Sequence, residues 1–456
     1  MKPLIHSKVP PLPRQRIAII GSGISGLSAA WLLQSHHDIT VFEAENYIGG
    51  HSHTVDIDVD SKNLPVDTGF IVYNDRNYPN LSALFDSLDV PTWETDMSFG
   101  LSRNNGALEY AGGTKGGLFA QKRNFLRPRY WSMLGELMRF YKNADRYRLA
   151  PEFAALSLRV LLKEESYSEA FIEDHLSPMG AAIWSSDADE ILDFPAQSFM
   201  RFFNNHGLDR LNDAPTWRTV KGGSREYVKR LTAGFTDKIK LNTPVQSVCG
   251  TTVKTLSGEE DFDQILFACH SDQALKLIQS PQSNQVLISE QKRILSAMRY
   301  RPNEVVLHSD ESLMPKRKKA WASWNYLSKA NSKGPPAVSY WMNRLQHVPT
   351  KKPVIVTLNP DRPINPSNIW AKFSYDHPIF DLAAEQAKSD IWSVQGQAGY
   401  WFAGAYLGDG FHEDGLQSGL YVAEQMGGVK RPWDKPGQTA RLRLPAQTVS
   451  TSKLVA

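Results

Sequence analysis

A chain of 456 residues with 41% hydrophobic and 22% charged side chains is too apolar for disorder and too long for one simple core, so a soluble globular fold of at least two domains is expected. A formal net charge of +3 excludes the concentrated positive charge of a dedicated nucleic-acid binder. Two cysteines, Cys249 and Cys269, exclude a disulfide scaffold and a cysteine-rich metal site and fit a reducing compartment, so the expected location is cytoplasmic.

Residues 1–13 read as a flexible end. The first element is Arg16-Ile17-Ala18-Ile19-Ile20, a β-branched apolar run that stops at Gly21 and reads as a buried strand of a parallel sheet. Gly21, Gly23 and Gly26 then form G-x-G-x-x-G, with Ser25 inside the turn. Leu27, Ala30, Trp31 and Leu33 follow on one face of a helix. In this order Gly21 permits a tight turn, Gly23 lets backbone approach a pyrophosphate, and Gly26 allows close helix packing, while the helix N-terminus faces phosphate charge. The next strand, Ile39 to Phe42, ends at Glu43, whose carboxylate is placed to accept hydrogen bonds from a ribose and to repel a 2'-phosphate. Strand, turn, helix, strand and acid agree on a dinucleotide site.

A second glycine pair, Gly49-Gly50, precedes His51. Further along come Val66-Asp67-Thr68-Gly69-Phe70-Ile71, then Lys221-Gly222-Gly223-Ser224, then a strand-hairpin-strand-helix pattern from Leu241 to Leu277 that contains Thr243-Pro244-Val245. Near the end, Trp401-Phe402-Ala403-Gly404-Ala405-Tyr406 leads through Gly410-Phe411-His412-Glu413-Asp414-Gly415 to Gly419. This set resembles the flavin-containing amine oxidase and carotenoid desaturase superfamily, with His51 where that superfamily usually carries Arg. The last segment is most similar to a branch of predicted FAD/NAD-binding proteins found beside, and in plants fused to, cyclopropane fatty acid synthases.

The resemblance implies an α/β fold: a discontinuous Rossmann-type FAD-binding domain over residues 14–110, 215–279 and 391–428, and a substrate domain of mixed sheet plus helices over 111–214 and 280–390. It implies bound FAD, with Gly21, Gly23, Ser25, Gly26, Glu43, Gly49, Gly50, His51, Thr68, Gly69, Phe70, Val245, Gly404, Asp414 and Gly415 as the cofactor-binding residues. The segment at Thr68 to Phe70 would pass the flavin ring, and the helix after Gly404 would aim its N-terminus at the pyrimidine side. His412 and Glu413 are then the nearest ionisable candidates for proton transfer, the other role open to them being to brace the motif loop. Amine-oxidising members often carry a Lys near the flavin where Glu304 stands here. No residue grouping suggests a metal.

In the inserts, Phe119 to Asn204 reads as largely helical, with Met133, Leu137 and Phe140 on one face. The runs Glu304 to His308, Trp321 to Leu327, Val338 to Met342 and Val354 to Leu358 read as a sheet walling the substrate side. Gln121 to Trp131 interleaves basic and aromatic residues, which suits either a solvated basic loop or a peripheral contact with a membrane surface. Residues 433–456 read as a flexible tail.

The expected function is an FAD-dependent oxidoreductase that dehydrogenates or isomerises an apolar, lipid acyl-type substrate by hydride transfer. An amine oxidase using oxygen is the alternative, and a non-enzymatic flavin-bound partner of a lipid-modifying methyltransferase of the cyclopropane-fatty-acid-synthase kind is a third.

Overall fold

The computed structural model describes residues 13–209, 215–279, 285–329 and 334–445. Residues 1–12 and 446–456, part of the ends expected to be flexible, lie outside the described residues. The chain divides into two compact units, one from Met1–Gly50, Val228–Arg299 and Leu382–Ala456, the other from His51–Tyr227 and Tyr300–Asp381.

The first unit is organised by a five-stranded parallel sheet. Its strands, in spatial order, are Ile239–Lys240, β2 (Asp38–Phe42), β1 (Arg16–Ile20), Gln264–Phe267 and Tyr400–Phe402. Ile17, Ala18 and Ile19 are fully buried, as a parallel strand covered on both faces requires. Between β1 and β2 runs α1 (Ile24–Leu33), in which every residue except Trp31 is buried. A helix apolar all round must be enclosed, and the helix His412–Gln425 lies against it. There a Cβ on Gly415 would meet Ile24 Cγ2 at 2.9 Å, and one on Gly419 would meet the Ser25 carbonyl oxygen at 2.3 Å. The segment after residue 433, expected to be loose, is anchored as far as it is described. Trp433 stacks on Trp31 with ring centroids 5.9 Å apart, Arg441 pairs with Asp414 at 3.1 Å, and Leu442 is buried.

The second unit holds a seven-stranded sheet in the order Ile369–Pro378, Tyr300–His308, Ile355–Leu358, Ala337–Trp341, Trp324–Leu327, Phe99–Arg103, Leu108–Gly112. Neighbours are antiparallel except Trp324–Leu327 beside Phe99–Arg103. The expected insert strands are all present with slightly different ends, and the helices between 128 and 205 bear out the helical reading.

The boundaries between units differ from those expected. Residues 51–110 belong to the second unit because the hairpin Thr54–Val59/Lys62–Asp67 buries Ile57, Val59, Leu64 and Val66 against Val305, Leu307 and Val356. The two strands from 99 to 112 also extend that unit's sheet. Residues 215–227 join it too, since Trp217–Val220 pairs with Tyr73–Asn74 and Thr92–Thr95. Conversely the helices Gln285–Ser296 and Leu382–Asp390 lie in the first unit, tied by Arg293 to Asp390 at 3.1 Å. Among the described residues no helix is long and apolar enough to cross a membrane.

Candidate active site

In the first unit the glycine loop is shaped by close backbone approaches. Gly21 has φ +107°, in the region that favours glycine, and a Cβ there would sit 2.8 Å from the Ala268 carbonyl oxygen. A Cβ on Gly26 would sit 2.0 Å from the Gly21 carbonyl oxygen, so α1 can start where it does only with glycine there. A Cβ on Gly23 would meet nothing within 4 Å: backbone borders open space at the residue just before α1. No side chain caps that helix, so its N-terminal amides and partial positive charge favour an anion in the opening. Gly50, with φ +57°, packs on Gly23, and the Gly49 N–H donates to the Ser22 hydroxyl at 3.2 Å.

Glu43 stands at the end of β2, buried. Its Oε2 accepts the Ser22 N–H at 2.9 Å and the Ser22 hydroxyl at 2.5 Å, and Oε1 accepts the Glu45 N–H at 2.9 Å. A carboxylate with two oxygens and about four lone pairs keeps acceptor capacity for a ribose hydroxyl. The stretch containing Val245 reaches the same place: Thr243 N–H donates to the Glu43 carbonyl at 2.8 Å and Asn242 N–H to the Glu45 carbonyl at 3.0 Å. Sequence positions two hundred apart thus meet beside one acid.

The closing segment sets His412, Glu413 and Asp414 in three different environments. Burial pushes the His412 imidazole down to about 3, so it is neutral near neutral pH and cannot serve there as a cationic acid. Glu413 is fully buried and accepts from Gln417 Nε2 at 3.1 Å, a bond within its own helix. Asp414 is also fully buried; it accepts the Phe411 N–H at 2.8 Å and a guanidinium N–H of Arg441 at 3.1 Å. Its carboxylate therefore builds the helix start. Ser418 ties this helix to Gly404, donating to its carbonyl at 3.1 Å and accepting its N–H at 3.0 Å.

His51, Thr68, Gly69 and Phe70 lie in the second unit and are brought together there. Phe70 N–H donates to the His51 carbonyl at 2.7 Å, and a Cβ on Gly69 would sit 2.3 Å from that oxygen. The Thr68 hydroxyl meets the Tyr375 hydroxyl at 2.8 Å, which also meets His53 Nδ1 at 2.9 Å. The His51 ring lies 4.9 Å from Tyr375 and 6.3 Å from His377. Burial holds the His53 pKa below its ordinary value and raises the Tyr375 hydroxyl to about 12, so both are neutral near neutral pH.

Sequence reasoning passed over the hub of this unit. Asp67 accepts hydrogen bonds from Thr54 (2.6 Å), from the Ser224 N–H (2.9 Å) and hydroxyl (2.8 Å), and from Gln346 Nε2 (2.6 Å). Burial nevertheless lifts its pKa to about 6. The glycines of 222–224 serve this acid: Gly223 has φ +90° and leaves no room for a Cβ beside Thr54. Glu304 pairs with Lys372 at 3.3 Å, both about half exposed, as a carboxylate on an open strand face would.

Comparison with known proteins adds three findings. The sequence profile of the family described as flavin containing amine oxidoreductase matches residues 24–367. A tryptophan 2-monooxygenase from Allorhizobium ampelinum is 49% identical over 43 residues, a match spanning 9% of this chain and 6% of that protein. Among solved structures, wild-type putrescine oxidase bound to putrescine has a TM-score of 0.61 at 15% identity, covering 91% of this chain and 99% of its own. A CLA-producing fatty acid isomerase from P. acnes has a TM-score of 0.60 at 14% identity, covering 90% and 98%. At such identities the structural likeness shows the fold.

Proposed function

Because this chain belongs to the flavin-containing amine oxidoreductase family and is an FAD-dependent oxidoreductase, we propose that it acts on an apolar, uncharged carbon chain of the lipid acyl type. The open cradle at Gly23, the uncapped start of α1 and the buried Glu43 fit FAD, and these residues with Gly21, Gly26, Gly49 and Gly50 would hold its adenosine and pyrophosphate. When bound, the flavin supplies a two-electron acceptor for hydride from a C–H bond.

The observation that carries the substrate reading is Asp67. It is the acid beside Thr68-Gly69-Phe70, the segment assigned here to the flavin side, and four donors already occupy its two oxygens. An ammonium substrate would need a carboxylate or an aromatic cage. This one is committed to holding Ser224 and Gln346. Beside Thr68 stand His53, Tyr375 and Phe373, all neutral, and Phe373 packs edge-on to His53 with ring centroids 4.7 Å apart. Neutral aromatic side chains suit an apolar ligand, and as a cation–π cage they suit the second reading below as well. The exposed Glu304 in place of a Lys supports the acyl reading.

Amine oxidation is the second reading, favoured by the family itself. Anaerobic mixing of purified yellow protein with unsaturated fatty acids and acyl phospholipids, beside a panel of primary and secondary amines, separates the two. Bleaching of the flavin, or a shifted double bond in the recovered lipid, is expected with the acyl compounds alone. Bleaching by an amine and no change in any lipid would replace this reading with the other.

A further inference from the structure

We propose that the surface formed by the loop from Gly112 to Leu126 and the outer face of the helix Pro128–Leu149 is a docking face for an anionic lipid bilayer. It lies wholly in the second unit. Leu126 is 87% exposed, Phe125 52% and Trp131 49%, and Leu118 and Met138 are exposed beside them in the chain. Large apolar side chains normally turn inward. On this helix Tyr130 and Met133 do so, while Trp131, Gly135 and Met138 occupy the outer face at the spacing i, i+4, i+7.

The apolar tip is built, not floppy. Phe119 stacks on Phe125 with centroids 3.8 Å apart and planes 10° from parallel, Trp131 lies 5.6 Å from Phe119, and the Trp131 indole N–H donates to the Phe125 carbonyl at 2.9 Å. These contacts hold the rings at the surface with Leu126 outermost, so little ordering entropy remains to be lost when they enter an interface.

Charge selects the partner. From Gly112 to Gly135 the sequence has Lys115, Lys122, Arg123, Arg127 and Arg129 and no acidic residue, and the rest of the helix adds Arg139, Lys142, Arg146 and Arg148 against Glu136 and Asp145. Arg129 is paired with Asp174 and Glu173, and Arg123 and Arg127 donate to the Ala107 carbonyl. Lys115 and Lys122 are exposed. Aromatic and leucine side chains surrounded by bases match the boundary between acyl chains and anionic headgroups. A second copy docked through the same face would bring two base-rich surfaces together, which like-charge repulsion opposes. Nucleic acid would leave Leu126 and Met138 against phosphate.

The proposal does not rest on the substrate reading, since binding is measured without turnover. FAD-loaded full-length protein is sedimented with phosphatidylcholine vesicles, with and without a third of phosphatidylglycerol. Binding is expected only to the anionic vesicles and should fall with salt as the screening length drops from about 10 Å at 0.1 M to about 3 Å at 1 M. Leu126→Glu should weaken it at least about tenfold, and Lys115→Ala with Lys122→Ala roughly thirtyfold, at about one base per five- to tenfold. Flavin absorbance and melting temperature should be unchanged in these variants, because the altered side chains are exposed. Equal binding to both vesicle types, or vesicle binding indifferent to Leu126→Glu, overturns the proposal. A change of oligomeric state in Leu126→Glu, read by sedimentation velocity, with no vesicle binding by the parent protein, assigns the face to a second copy and overturns it equally.

Discussion

The carboxylate of Asp67 is held by four donors, yet burial outweighs them and pushes it up to about 6. The consequence for stability has a definite sign. Its folded pKa is raised above the unfolded value of 3.8, so the stabilisation is full below that value and is lost as pH rises toward 6, amounting to about 3 kcal/mol at 1.36 kcal/mol per unit. In Asp67→Asn this dependence should vanish: urea unfolding of parent and variant between pH 4 and 7 should show the variant gaining on the parent through that window. A constant difference would mean that Asp67 titrates normally. His412 behaves in the opposite sense, since burial lowers its pKa to about 3. A neutral imidazole gives no titration near 6.5, so His412→Gln should retain FAD and leave the pH profile of flavin reduction between 6 and 8 unaltered, with a rate change under about tenfold. Loss of an ionisation near 6.5 in the variant would restore the proton-transfer role expected from the sequence.

Helix α1 and the helix His412–Gln425 approach through small residues, and the two glycines on the later helix are not equivalent. A Cβ at 415 would meet side-chain atoms, Ile24 Cγ2 at 2.9 Å and Ser25 Oγ at 3.1 Å, with the nearest backbone atom at 3.7 Å, whereas one at 419 would meet the Ser25 carbonyl at 2.3 Å and the Ser28 hydroxyl at 2.4 Å. Gly419→Ala should therefore cost about 1–3 kcal/mol as overpacking does, with loss of bound flavin, because Ser25 belongs to the turn of α1 that borders the phosphate cradle. Gly415→Ala should be milder in both melting temperature and flavin content; equal effects would refute this account of the crossing. What could be read from the sequence follows from distance along the chain. Strand β1, the glycine turn, α1, β2 and Glu43 fall within thirty residues, so apolar period and turn chemistry announce them. Asp67 draws on Ser224 and Gln346, 157 and 279 positions away. No local period records such a partnership, and its acid looked like one letter of a loop motif. The hairpin at 54–67 falls in the second unit for the same reason: its alternation shows a buried face but not which sheet covers it.

The first unit is assembled from three separated stretches of chain, and its parallel sheet is incomplete until the last has been made. Tyr400–Phe402 is the outer strand beside Gln264–Phe267, and His412–Gln425 covers α1. Without residues beyond 390, Phe267 loses Phe402, a stacked partner at 5.4 Å, and the apolar α1 loses the helix that encloses it. Several fully buried side chains would then face water, at roughly 1.5–3 kcal/mol each, against a total stability of about 5–15 kcal/mol for a typical domain. A chain ending at residue 390 keeps G-x-G-x-x-G, Glu43 and Gly49-Gly50, yet its cradle depends on packing that only the closing segment provides. It should therefore purify colourless or aggregate, and FAD titration followed by fluorescence should show no saturable binding. The second unit gives an internal control in the same sample, because among the described residues its sheet contains no strand beyond Ile369–Pro378; protease-resistant fragments from that unit are expected to survive. A truncated chain that bound FAD stoichiometrically would show that the glycine loop is shaped by its own thirty residues alone, contrary to the packing argument made from Gly415 and Gly419.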